Sequence, residues 1–235
     1  MNYTFNDLMI AYIRGYIINN NIKVNENLII KDINSLDSNE IEELISIGKS
    51  LDLKLYYFKE KDDLARVSIV LGFLKGIYPS SLLDVGSGRG VFLFPLLREF
   101  SYMDITSIDI LDKRVQLIKD ISTGGINNLK ALKEDLCTFN IEDNSFDVVT
   151  LLEVLEHIPN VEQAIKNACR IASKYVILTV PSKEDDNPEH IHLLTKDKLT
   201  KLFNDAGVTN LKFGGVNGHL FMIAKKWVRL YERYN

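Results

Sequence analysis

Leu82-Leu83-Asp84-Val85-Gly86-Ser87-Gly88-Arg89-Gly90 is an apolar run that passes directly into a glycine-rich turn. A short apolar run bounded by turn residues reads as a strand buried on both faces, and the helical pattern that follows makes the junction strand, turn, helix. Three glycines at alternate positions remove every Cβ that would hold a ligand away from the backbone, and the turn presents main-chain N–H groups at the helix N-terminus. A ligand carboxylate or phosphate fits such a place. The alternative is a tight turn that binds nothing, which the strand-to-helix context disfavours.

Downstream of Pro79, short apolar runs alternate with helical segments, the signature of βαβ units on a parallel sheet. Strands are expected at Ser81–Val85, Asp104–Asp109, Asn128–Lys133, Phe146–Leu152 and Tyr175–Val180, with helices at Val91–Phe100, Asp112–Ile121 and Val161–Ser173. Right-handed crossovers would lay these helices on both faces. A further helix, Thr195–Ala206, stops at Gly207; then Leu211–Phe213 and Leu220–Ala224 flank Gly214, Gly215 and Gly218 as a closing antiparallel hairpin. Pro95 is an anomaly inside the first helix, because proline costs ~3 kcal/mol in a helix interior.

Upstream, the pattern is mainly helical. Leu8, Tyr12, Ile13 and Tyr16 share one face, and Ile41, Leu44, Ile45 and Ile47 another, behind a capping box at Asp37–Glu40. Asp63–Ile77 is apolar on too many sides to be solvated, while Leu28–Ile30 and Leu53–Phe58 read as short β-like runs with no assigned place. The expected division is residues 1–78 as a helical lid region, 79–226 as the α/β domain and 227–235 as a tail. The basic stretch Lys225, Lys226, Arg229 and Arg233, interleaved with Trp227, Tyr231 and Tyr234, reads first as an amphipathic tail and second as a strand-binding or partner surface.

Hydrophobic residues at 46% and charged residues at 26% describe an ordinary globular protein, not a disordered or collagen-like one. Lys+Arg 28 against Asp+Glu 32 gives a net charge of -4, so no overall basic field favours nucleic acid or anionic lipid. Two cysteines, Cys137 and Cys169, are too few for a disulfide framework, which suits a cytoplasmic protein. Leu8–Ile18, interrupted by Arg14 and Gly15, does not read as a signal peptide, and no apolar run is long enough to span a bilayer. Oligomeric state is not legible.

Asp109 ends the second expected strand, where a carboxylate can accept two hydrogen bonds from a ribose diol. The alternative is that it merely caps the helix that begins near Asp112. At this point the residues resemble the class I S-adenosylmethionine-dependent methyltransferases over roughly Ile77 to Lys226. Gly86, Gly88 and Gly90 match that family's spacing, whereas dinucleotide dehydrogenases place the third glycine one position later; the closing hairpin also matches the family's seventh strand. The resemblance implies a Rossmann-like α/β fold: a seven-stranded, mostly parallel sheet with an antiparallel last strand. It implies S-adenosylmethionine as cofactor, with Asp84 and the loop Gly86, Ser87, Gly88 and Gly90 at its methionine end and Asp109 on the ribose. Ile110 would line one face of the adenine, Asp135 its amino edge and Leu136 its other face. Glu153 would lie beside the methionine part.

The segment Glu153-Val154-Leu155-Glu156-His157-Ile158-Pro159 follows the fourth strand at the edge where open α/β sheets bind ligands. His157 is a candidate base for a hydroxyl acceptor; the alternative is a histidine that orders the turn through its ring nitrogens. Glu153, Glu156 and His157 with His190, from the later Glu189-His190-Ile191-His192 loop, also offer a set of divalent-metal ligands. That set is similar to the metal-dependent RNA 3'-terminal 2'-O-methyltransferases, although the arginine and aromatic residues flanking that family's histidine are missing here. Pro188–Thr195 instead resembles a stretch common in small-molecule methyltransferases. The leading expectation is methylation of a small-molecule acceptor, on oxygen or nitrogen, without a metal. Metal-assisted RNA methylation and a non-catalytic cofactor- or partner-binding module are the alternatives.

Overall fold

The structure, a computed structural model, describes residues 2–59, 64–184 and 186–226. Eight helices are α1 (Phe5–Asn19), α2 (Asn27–Ile30), α3 (Ser38–Ser50), α4 (Ala65–Ile77), α5 (Leu93–Glu99), α6 (Asp112–Thr123), α7 (Val161–Ile171) and α8 (Lys196–Asp205) among the described residues. Seven strands are β1 (Ser81–Val85), β2 (Asp104–Asp109), β3 (Leu129–Lys133), β4 (Phe146–Leu152), β5 (Ala172–Pro181), β6 (Asn210–Val216) and β7 (His219–Lys225). They form one mixed sheet in the order β3-β2-β1-β4-β5-β7-β6. The order reverses between β1 and β4, and β7 runs antiparallel to both β5 and β6. By compactness the chain forms two units: residues 2–59 with Ser87–Lys133, and Leu64–Gly86 with residues 134–226.

In the second unit, β1 and β4 pair in parallel with Leu82 opposite Val148 and Asp84 opposite Thr150. The side chains of Leu82, Leu83, Val148, Val149 and Leu151 are buried, which is why both strands read as unbroken apolar runs. A register shift where β4 meets β5, between Phe146 and Val148, places Asp147 at an irregularity. Its carboxylate takes the N–H and hydroxyl of Ser80, both at 2.8 Å, and the Lys174 ammonium at 2.8 Å. α7 ends two residues short of its expected limit, because Ala172 and Ser173 already belong to β5.

In the first unit, α1 packs against α6 by backbone contact. A Cβ on Gly15 would lie 1.7 Å from the carbonyl oxygen of Asp120, and one on Gly124 would lie 1.8 Å from that of Ala11. Ile10, Ile13 and Ile17 of α1 share a core with Leu28 and Leu44. Leu28–Ile30, β-like in sequence, is the short helix α2, and within Leu53–Phe58 the stretch Leu55–Phe58 is a 3-10 turn. Short apolar runs do not separate strand from helix by periodicity alone. The helix after the glycine loop begins at Leu93, two residues later than expected, so Pro95 falls in its first turn. First-turn N–H groups have no partner within the helix, and the proline therefore removes no helical hydrogen bond.

Both cysteines are free, and burial pushes the Cys169 thiol up to about 12, so it stays protonated. The basic and aromatic tail from Trp227 onward lies outside the described residues. Among those described, no helix is long and apolar enough to cross a membrane.

Burial alone would raise the Asp147 carboxyl, but Lys174 and the two Ser80 donors outweigh it and hold the group below its ordinary range. Its stabilising contribution is therefore present above the unfolded-state value near pH 4 and lost as pH falls through the lower folded-state value. Asp147→Asn is expected to cost about 1 kcal/mol at pH 7 by urea unfolding and to reduce the loss of stability between about pH 4 and pH 2.5.

Candidate active site

The topology sets β1 and β4 side by side where the sheet order reverses, so their carboxyl ends share the crevice in which such sheets bind ligands. Asp84 is buried near the end of β1 and accepts a 2.8 Å hydrogen bond from the Thr150 hydroxyl on β4. Beyond it the backbone is left-handed at Gly86 (φ 67°), Gly88 (φ 59°) and Gly90 (φ 84°). Space as well as conformation demands glycine here. A Cβ on Gly86 would lie 2.8 Å from the Val154 side chain, and one on Gly90 would lie 2.3 Å from the Phe94 ring. Phe94 in turn stacks on Phe58 with centroids 4.7 Å apart, and Phe58 on Tyr12 at 5.5 Å.

In the first unit, the Ser87 hydroxyl meets the Ser107 hydroxyl of β2 at 2.7 Å, which ties the loop to that strand. Asp109 ends β2 and is 5% exposed. Its two oxygens differ in their surroundings. Oδ1 accepts the Leu111 N–H at 2.9 Å and so shapes the entry to α6, whose N-cap residue, Leu111, has no capping side chain. Oδ2 is buried without a hydrogen-bond partner, with Arg114 Nη1 at 3.7 Å. Ile110 is 62% exposed, an uncovered apolar side chain beside that oxygen's strand end.

In the second unit, Glu153 adopts φ 57°, a conformation non-glycine residues hold only when their surroundings fix it. Its N–H donates to the Thr179 carbonyl at 2.9 Å, and its Oε2 lies 2.9 Å from Nδ1 of His219 on β7. Glu153 Oε1 and Thr179 Oγ1 are buried without hydrogen-bond partners. Asp135 is exposed, with Oδ1 accepting from the Cys137 N–H at 2.8 Å. Leu136 is buried, and its carbonyl accepts from the Asn167 amide at 2.6 Å.

The alternative four-residue metal set narrows to three among the described residues. Glu156, His157 and His190 present ligand atoms within 4.8 Å of one another, but Glu153 is left out of the cluster because it turns to His219. Glu153 stands apart because the 3-10 turn begins only at Leu155, after this left-handed residue. His157 is exposed, and its Nδ1–H donates to the Glu189 carbonyl at 2.9 Å, which leaves Nε2 as the basic nitrogen. The His190 ring lies edge-on to it at 4.8 Å, whereas His192 meets the Ile158 carbonyl instead. Glu156 is fully buried, and its carbonyl accepts the Ile191 N–H, which pins the later loop to this turn. His219 was missed in sequence; only its place in the closing hairpin, opposite Pro181, brings it to Glu153.

A family model described as "Methyltransferase domain" matches residues 58–212. The chain belongs to the class I S-adenosylmethionine-dependent methyltransferases. This methyltransferase is 26% identical over 192 residues to a ubiquinone biosynthesis O-methyltransferase of Rickettsia prowazekii, covering 68% of the chain and 71% of the relative. It is 24% identical over 230 residues to the protein of the same name from Rickettsia bellii, covering 83% and 91%. In fold it is similar to a SAM-dependent methyltransferase from Thermotoga maritima, described as a possible histamine N-methyltransferase, with TM-score 0.54, 18% identity and coverage of 69% and 88%. The cofactor is thus S-adenosylmethionine. The residues present suit it: a left-handed glycine turn leaving β1, and a buried Asp109 carboxylate oxygen without a hydrogen-bond partner.

Gly90→Ala in this methyltransferase forces a side chain into a left-handed position and against Phe94. A loss of at least about 1–3 kcal/mol in urea unfolding is expected; adding Phe94→Leu relieves the clash but not the backbone strain, so the double variant stays destabilised.

Proposed function

We propose that this methyltransferase methylates a hydroxyl oxygen of a small molecule. Asp84, Gly86, Ser87, Gly88 and Gly90 hold the methionine end of the cofactor, with Glu153 beside it, and Asp109 Oδ2 accepts from the ribose. Ile110 and Leu136 cover the adenine faces and Asp135 its amino edge. When bound, S-adenosylmethionine supplies a methyl carbon activated by positive sulfur and leaves as S-adenosylhomocysteine.

The chain's own work is alignment, exclusion of water and removal of one proton. The observation that carries the reading is His157, whose Nδ1–H is committed to the Glu189 carbonyl so that Nε2 can accept the hydroxyl proton. The relatives named ubiquinone biosynthesis O-methyltransferase support transfer to oxygen, and the net charge of -4 disfavours a polyanionic acceptor.

Two substitutions test this. Asp109→Ala is expected to weaken S-adenosylmethionine binding by at least tenfold in equilibrium titration, since a lost charge-assisted hydrogen bond is worth about 1.5–3 kcal/mol. His157→Gln is expected to leave cofactor affinity intact while lowering kcat for hydroxyl acceptors by about 10²-fold or more. Unchanged kcat would leave His157 with only the turn-ordering role.

A second reading is favoured by Glu156, His157 and His190, whose one carboxylate and two imidazoles suit a divalent transition ion. On that reading Glu156, His157 and His190 would hold the ion, which would supply a Lewis acid for the acceptor hydroxyl. Methyl transfer that is undiminished after exhaustive chelation and dialysis would eliminate it; loss on chelation with recovery on adding Zn²⁺ or Mn²⁺ would displace the free-base role.

A further inference from the structure

The unit built from residues 2–59 and Ser87–Lys133 contains a cavity of about 170 Å³ that no step above uses. Tyr3, Arg14, Lys31, Asp32, Asn34 and Asn127 line it. Asn127 precedes the start of β3, whereas Asp109 ends β2. The two strands run parallel, with Ile105 opposite Leu129 and Asp109 opposite Lys133, so the cavity and Asp109 lie at opposite edges of this strand pair.

Arg14 makes this more than a crevice. It is 5% exposed, and its Nη2 donates to the carbonyls of Ile29 and, at 2.8 Å, of Lys31. Nε and Nη1 are buried and have no hydrogen-bond partner. A guanidinium carries five N–H donors, and a buried cation short of partners is strongly unfavourable. The nearby Asp32 carboxylate favours the cation without hydrogen-bonding to it, so the idle donors stay unmet. Asp32 spends Oδ1 on the backbone and side-chain amides of Asn34, and Lys31 is paired with Glu40 at 2.5 Å.

A buried guanidinium with idle donors calls for an oxyanion, because planar carboxylates and phosphates match its geometry. Asp32 on the same wall offsets Arg14 and Glu40 offsets Lys31, so no net positive charge remains; an occupant is held through the idle Arg14 donors, and a dianion is the least suited. The cavity is also large for one water: about 15 Å³ suffices for that, and about 150 Å³ admits a benzene ring. We propose that this cavity binds a small monocarboxylate, its charge held through Arg14 and its remaining polar atoms met by Asn34, Asn127 and the Tyr3 hydroxyl. It is a second ligand site, separate from the one that takes the methyl donor.

The test uses the full chain and benzoate as probe, at ionic strength held constant with sodium chloride. Thermal unfolding is expected to show a saturable rise of about 5 °C at a hundredfold excess over the binding midpoint, and the ¹⁵N resonance of Arg14 Nε to move along the same isotherm. Arg14→Met should abolish both; if that variant does not fold, Asn127→Ala should weaken the benzoate midpoint at least fivefold. Asp109→Ala should leave the benzoate response unchanged, so that failure here is distinguishable from failure of the cofactor reading. No saturable response at roughly tens of millimolar benzoate, an equal response in folded Arg14→Met, or inorganic phosphate binding more tightly than benzoate would each overturn the proposal.

Discussion

The backbone leaving β1 must turn left-handed at Gly86, Gly88 and Gly90, and the candidate site depends on that constraint. Only residues without a Cβ hold such a path cheaply, and here the surroundings leave no room for one, with Val154 against Gly86 and Phe94 against Gly90. The fixed points on either side follow from it. Thr150 holds Asp84 before the turn, and the Phe94–Phe58–Tyr12 stack anchors the helix after it. At the end of β4, Glu153 makes a comparable turn without being glycine. Its strain is met by the Thr179 carbonyl and by His219, each on a different strand.

Asp109 commits one carboxylate oxygen to the backbone and leaves the other without a hydrogen-bond partner. A strand-end aspartate that caps a helix and one that binds a ribose are usually weighed as alternatives. Here Oδ1 satisfies the Leu111 N–H and Oδ2 remains unspent. The structural contact fixes the orientation of the side chain, which is what a ligand contact from the other oxygen requires.

The strand, glycine turn and Asp109 were legible because their chemistry is local: apolar runs, missing Cβ atoms and a strand-end acid all lie within about thirty residues. What depended on distant pairing was not. His219 reaches Glu153 only because β7 is inserted antiparallel beside β5, with Pro181 opposite His219. Glu153 was grouped with Glu156 as one set of ligands, yet its own left-handed backbone ahead of the 3-10 turn takes its side chain to His219. Pro95 looked costly only while the helix was started two residues too early. Arg14 and Gly15 served in sequence merely as interruptions of an apolar stretch. In the folded chain Gly15 lets α1 approach the Asp120 backbone, and Arg14 lines a polar cavity.

The central claim is that the left-handed loop after β1 is a cradle for a nucleoside bearing a charged amino-acid tail. Isothermal calorimetry of the intact, folded chain with S-adenosylhomocysteine tests it without needing an acceptor. The account predicts one saturable site per chain, with adenosine alone binding far more weakly because it lacks the methionine-derived end. Absence of heat and of any thermal stabilisation by S-adenosylhomocysteine would contradict it.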